Sequence, residues 1–210
     1  MAKVQSTKLS FKDNWFLFLV LLVEGGSLMA VELVGAKLIA PYYGNSVYVW
    51  AAVLATTLGG LTLGYYAGGK LSLKHPTVNT LLKIVTVSAI LVFLMPTVSG
   101  AVMSATLSIE DLRTGIVLSC VIFLTPILVT FGMVGPIAVR LMTTTVENVG
   151  KVAGTVYFTS TVGGILTTFL FGFYLIPFIG LKTSTFIVGS ALALLPIIAL
   201  LSPKLRKSEE

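Results

Sequence analysis

The sequence predicts an all-α, polytopic membrane protein with six transmembrane helices. Three observations carry this. Hydrophobic residues make up 56% of the 210 residues and charged residues only 10%, against about 25% charged in an ordinary soluble domain. The mean hydropathy is +1.00. The apolar residues fall in six runs, each long enough for a span of about 20 residues. Runs of that length satisfy their backbone groups within the bilayer only as helices.

The first run covers Trp15 to Ile39 and the second Val47 to Gly69. The third covers Thr80 to Val102, the fourth Thr114 to Leu141, the fifth Val152 to Pro177 and the sixth Thr183 to Leu201. Residues 1–14 then form a cytoplasmic N-terminal segment, 15–202 the transmembrane domain and 203–210 a cytoplasmic tail. Lys3, Lys8 and Lys12 precede the first run as in a signal peptide. The run is too long for one, carries Glu24 and Glu32, and lacks a small-residue cleavage site, so an uncleaved first helix is expected. The first and fourth runs exceed the thickness of a bilayer core, which predicts tilt or a kink.

Orientation follows from Lys and Arg. With the N-terminus inside, 11 of the 14 basic residues lie on the inner side, and only Lys37, Arg113 and Lys182 lie outside. Both termini are therefore expected in the cytoplasm of a cell with the protein in its plasma or inner membrane. Tyr42, Tyr43, Tyr48 and Trp50 cluster where the first two spans meet, as an interfacial aromatic belt would. Lys37, before the turn Pro41 to Ser46, and Arg140, before the turn Thr143 to Gly150, are candidate anchors or gates, with Tyr42, Tyr43, Asn45 and Trp50. Arg140 could also pair with Glu147.

A repeat links the two halves. With Lys37 set against Arg140, Gly59-Gly60 falls opposite Gly163-Gly164 after one inserted residue. Gly60, Gly64 and Gly68 then match Gly164, Thr168 and Gly172, and Tyr65-Tyr66 matches Phe169-Leu170. Because each copy holds three spans, the copies are inverted. Such 3+3 repeats recur in secondary transporters and build each half of the major facilitator fold. Spacing by four puts each small-residue triplet on one helix face, where backbones approach closely. A crossing of spans two and five, or a dimer contact, would use them.

Glu24 and Glu32 carry the functional signal. A charge at the bilayer centre costs about 2.5–3.5 kcal/mol on insertion scales and marks function by default. They stand about 80° apart around the helix and about 12 Å along it, with Ser27 on the adjoining face. The bland alternative is a structural hydrogen bond or a pair with Lys37 or Arg140. The repeat sets them against Ile127 and Gly135, so the acids break its symmetry. They suit a cationic solute or a coupling proton.

The scattered basic residues exclude a nucleic-acid surface. Cys120 is the one cysteine, so an intrachain disulfide and a cysteine metal site are excluded. His75 stands alone, no metal-ligand spacing is present, and no cofactor is implied. Phosphate-loop, nucleophile-elbow and triad patterns are missing.

Two stretches resemble a known family. They are EGGSLMAVELVGAKLIAPYYGNSVYVWAAVLATTLGGLTLGYYAGGKL (Glu24 to Leu71) and GPIAVRLMTTTVENVGKVAGTVYFTSTVGGILTTFLFGFYLIPFIGLKTS (Gly135 to Ser184). Both are similar to the membrane region of membrane-bound spermidine synthase-like proteins, a major-facilitator-like part fused to an aminopropyltransferase. The motifs LIAPYYGNSVYVW and VGKVAGTVYFTSTVGG are the most specific. The Gly-rich motifs of the soluble enzyme domain are missing from these 210 residues, so the resemblance implies a membrane module and not an enzyme. Two roles are then expected. One is a half-size transporter for a small, polyamine-like cation, completed by a homodimer or a partner. The other is a bilayer anchor for a separately encoded soluble enzyme at the cytoplasmic face.

Overall fold

The computed structural model describes residues 11–201, with side chains from Asn14 onward. The tail 203–210 and residues 1–10 of the N-terminal segment lie outside that range, and with them Lys3, Lys8, Lys204, Arg206 and Lys207. Among the described residues the chain is helical throughout, with six helices long and apolar enough to cross a membrane. They are α1 (Phe11–Tyr43), α2 (Val47–Lys74), α3 (Val78–Thr106), α4 (Leu112–Met142), α5 (Val149–Leu170) and α6 (Leu181–Leu201). A 3-10 turn, Val146–Asn148, leads into α5. Beyond α5 the helix continues through a π-helical turn, Phe171–Leu175, and one more turn, Ile176–Ile179. Five of the expected spans each fall inside one of these helices, and the fifth, Val152 to Pro177, runs from α5 through the π-helical turn into the turn beyond it.

Local chemistry sets the ends. Ser46 and Thr77 accept hydrogen bonds from the amides of Val49 and Thr80, satisfying donors that a helix start leaves unpaired. Asp111 does the same for α4, accepting from the Thr114 hydroxyl and amide on one oxygen. These bonds hold the exposed Asp111 carboxyl below its usual range. Gly44 and Gly180 adopt φ of 76° and 81° at the α1–α2 and α5–α6 turns, a region that disfavours side chains. Pro177 follows the π-turn, in which the Ile176 amide bonds to the Phe171 carbonyl five residues back. Proline has no N–H to continue an α-ladder there, and a π-turn absorbs the mismatch. The long helices remain continuous across Pro41, Pro96, Pro126, Pro136 and Pro196.

The bundle has two principal seams, α2 on α4 and α1 on α5, with α3 packed against α4 and α6. The crossing of spans two and five suggested by the small-residue triplets is not formed. Gly60, Gly64 and Gly68 are buried against α4 instead. A Cβ on Gly64 would sit 2.7 Å from Gly132 Cα and overlap the Val129 carbonyl, and one on Gly68 would sit 2.6 Å from Met133 Cα. These glycines therefore serve a contact within the chain and are closed to a dimer partner. Gly163 and Gly164 pack against α1, where a Cβ on Gly163 would overlap the Leu22 carbonyl. Thr168 donates to the Gly164 carbonyl at 2.8 Å. Gly172 leaves the seam. It is exposed, with open space around it, because the π-turn shifts the face that residues after Leu170 present.

The core runs along α1, α3 and α4, through Phe16, Leu21, Ile39, Met95, Leu124 and Phe131. At the α1–α2 end, Tyr43 donates to Thr106 Oγ1 at 2.8 Å, and Thr106 and Ser119 share a 2.6 Å bond. This buried cluster ties α1, α3 and α4. Nearby, the exposed Arg113 reaches the Tyr48 hydroxyl at 3.3 Å and lies over its ring. Removing a buried hydroxyl partner costs about 1 kcal/mol, and changes to exposed groups cost under about 0.5 kcal/mol. Tyr43→Phe should therefore lower the thermal midpoint by a few degrees while Tyr48→Phe leaves it unmoved. Differential scanning fluorimetry reads both, and an equal response would refute the cluster's role.

Candidate functional site

The site begins with two pairs of glycines. Gly25-Gly26 in α1 meets Gly163-Gly164 in α5. A Cβ on Gly25 would overlap the Ser160 carbonyl and hydroxyl, one on Gly26 would overlap the Thr167 hydroxyl, and one on Gly164 would lie 3.4 Å from the Gly25 carbonyl. The two backbones are thus in contact, as small residues permit in a membrane. That contact brings Ser160 to Glu24. The Ser160 hydroxyl donates to Glu24 Oε2 at 3.3 Å. Glu24 is only 5% exposed, and Ser160 is its one hydrogen-bond partner among the described residues.

A cavity of about 340 Å³ opens beside this pair, walled by α1, α2 and α5. Ser160, Tyr157 and Phe169 from α5, Tyr65 from α2, and Leu28 and Met29 from α1 line it. The long Ser160 bond leaves most of the carboxylate's hydrogen-bonding capacity unused, because an ionised carboxylate offers about four acceptor sites. A buried acid so lightly held can take a proton or a cationic group from a ligand.

The other residues of interest fall elsewhere. Ser27 is buried, but its hydroxyl bonds to the Val23 carbonyl of its own helix at 2.7 Å. It lines a separate cavity of about 280 Å³ between α1, α5 and α6. Glu32 is half-buried, is not part of the wall of the Glu24 cavity, and makes no hydrogen bond or ion pair among the described residues. The two acids therefore do not share one site, since eight residues of helix carry Glu32 away from the Gly25–Gly163 contact. Neither pairs with Lys37 or Arg140, both of which are exposed. The pair of Arg140 with Glu147 is also not formed; both side chains are exposed.

At the α1–α2 turn, Trp50 donates to Asn45 Oδ1 at 3.1 Å, while Tyr42 and Tyr48 are exposed. Tyr43 is 8% exposed and belongs to the buried cluster, not to an interfacial belt. Sequence reasoning missed Ser160 as the partner of Glu24, and Tyr65 and Tyr157 as walls of the cavity beside Ser160. The one signal for them was the match of two glycine pairs, Gly25-Gly26 and Gly163-Gly164, which could have placed α5 on α1.

No family model, curated protein or solved structure matches the chain.

Proposed function

We propose that the chain is a transporter-like module of the cell membrane that moves a small cationic solute, with Glu24 as the carboxylate that holds the cation or exchanges it for a proton. One observation carries this reading: a carboxylate buried within a candidate membrane span, with one hydrogen-bond partner, behind the wall of a cavity. Burying an acid there is costly, and structural use would call for a fuller set of partners.

The packing lends support. Under the repeat, α1 corresponds to α4 and α2 to α5. The α2–α4 seam then corresponds to the α1–α5 seam, and these are the two principal seams of the bundle. Such an exchange is what an inverted 3+3 unit predicts, and units of this plan place solutes near the midplane at the repeat interface. The spermidine synthase-like resemblance points to amines as the solute class. A second copy of the chain would complete the carrier.

Liposome uptake of labelled amines, a monoamine beside putrescine and spermidine, tests the reading, with Glu24→Gln as the decisive comparison. Co-purification of a soluble enzyme, with no uptake of any of these amines, would replace it by the anchor role. The proposed orientation has its own test. In a Cys120→Ser background, His75→Cys and Glu147→Cys should be shielded from an impermeant maleimide added to intact cells. Asn45→Cys and Glu110→Cys should react. The reverse pattern would invert the topology.

A further inference from the structure

The cavity at Glu24 has a composition that bears on what enters it. Its wall is dominated by apolar and aromatic groups, with Leu28 and Met29 on one side and Tyr65, Tyr157 and Phe169 on the others. Its volume of about 340 Å³ is at the small end of the ordinary ligand range of roughly 300–1,000 Å³. One acid serves it. Glu24 stands behind Ser160, and Glu32 is not at the wall. Thr161 and Thr168 also line the space, the Thr168 hydroxyl donating to the Gly164 carbonyl at 2.8 Å, and neither bonds to an acid among the described residues.

Ser160 joins the two environments. It lines the cavity, and its hydroxyl donates to Glu24 Oε2. A hydroxyl both donates and accepts, so Ser160 can accept from a ligand N–H while it donates to Glu24. An ammonium placed there is one side chain from the carboxylate and shares the cavity with aromatic side chains, a class of group that attracts cations. A second ammonium on the same ligand would find no acid on the cavity wall, and an unpaired charge in apolar surroundings is strongly disfavoured.

We propose that the α1–α2–α5 cavity binds an organic ammonium with a single charge and a compact apolar body, its N–H accepted by Ser160 and its body held by Tyr65 and Tyr157. The inference rests on Glu24 being the cation carboxylate, and it narrows the ligand from amines in general to amphipathic monoamines.

Equilibrium binding to the full chain in nanodiscs tests it, with 2-phenylethylamine, its neutral analogue 2-phenylethanol, and spermidine as probes. Phenylethylamine should bind saturably and about tenfold or more tightly than either of the others. Tyr65→Leu and Tyr157→Leu should each weaken it several-fold. Both side chains are substantially exposed, so these variants should fold. Ser160→Ala should narrow the preference for amine over alcohol. Equal binding of amine and alcohol, tighter binding of spermidine, or indifference to both Tyr variants would overturn the inference. Spermidine uptake that requires Glu24, without phenylethylamine binding, would overturn it and leave the transport reading standing. Phenylethylamine binding that requires Tyr65 and Ser160, without Glu24-dependent uptake, would uphold the site and remove transport.

Discussion

Gly64→Val is expected to force α2 away from α4 and to lower the thermal midpoint of the purified protein by about 5–10 °C. The reason is geometric. A Cβ at Gly64 meets backbone, with Gly132 Cα at 2.7 Å and the Val129 carbonyl closer still. A flexible side chain could rotate away, but a helix backbone moves only with its whole seam. Gly132 faces the same gap, since its Cβ would lie 2.7 Å from the Leu61 carbonyl and 2.9 Å from Gly64 Cα. Gly64→Ala and Gly132→Ala should therefore combine less than additively, because the first substitution opens the space that the second needs. Gly59→Ala and Gly69→Ala provide the contrast. A Cβ there meets nothing within 4 Å, and alanine is the better helix former by up to about 1 kcal/mol. Their midpoints should hold or rise. A Gly64→Val protein as stable as Gly69→Ala would show that the seam is not close-packed in the membrane.

Glu24→Gln is expected to cut amine uptake by about 100-fold while leaving the fold intact. Removing one member of a buried charge contact costs about 2–5 kcal/mol, which corresponds to a factor of about 30 to several thousand. Glutamine keeps the shape, and its carbonyl oxygen still accepts from Ser160, so the α1–α5 seam has no reason to open. The thermal midpoint and the elution profile should match the wild type. Glu32→Gln should change uptake by less than about threefold, because Glu32 is not part of the wall of the Glu24 cavity and bonds to no described residue. Saturable, unchanged uptake by Glu24→Gln would remove Glu24 from the mechanism, and a strong effect of Glu32→Gln alone would move the site.

Several features were legible in the sequence for direct physical reasons. Six apolar runs dictate six helices, because an apolar backbone in lipid satisfies its hydrogen bonds only within itself. Span boundaries followed from where the apolar runs give way to polar turns, such as Pro41 to Ser46 and Thr143 to Gly150. Glu24 stood out because an acid in an apolar run is costly, and the buried face of α2 was readable from the spacing of Gly60, Gly64 and Gly68.

Pairing between helices was decided elsewhere. A small-residue stripe says that some backbone comes close but not whose, since any helix with a matching gap will fit. The triplet of α2 therefore met Gly132 of α4 and not the triplet of α5. Gly172, in register on paper, was rotated out by the π-turn before Pro177. Glu24 and Glu32 look alike in sequence, yet only Glu24 lies at the Gly25–Gly163 contact and gains Ser160, 136 positions away. The sequence by itself determined which helices form and where charge is buried in them, because those are local properties of a chain in lipid. Only the tertiary structure decided which surfaces meet, and with them the partners of Glu24, because helix packing depends on shape complementarity between segments far apart in the chain.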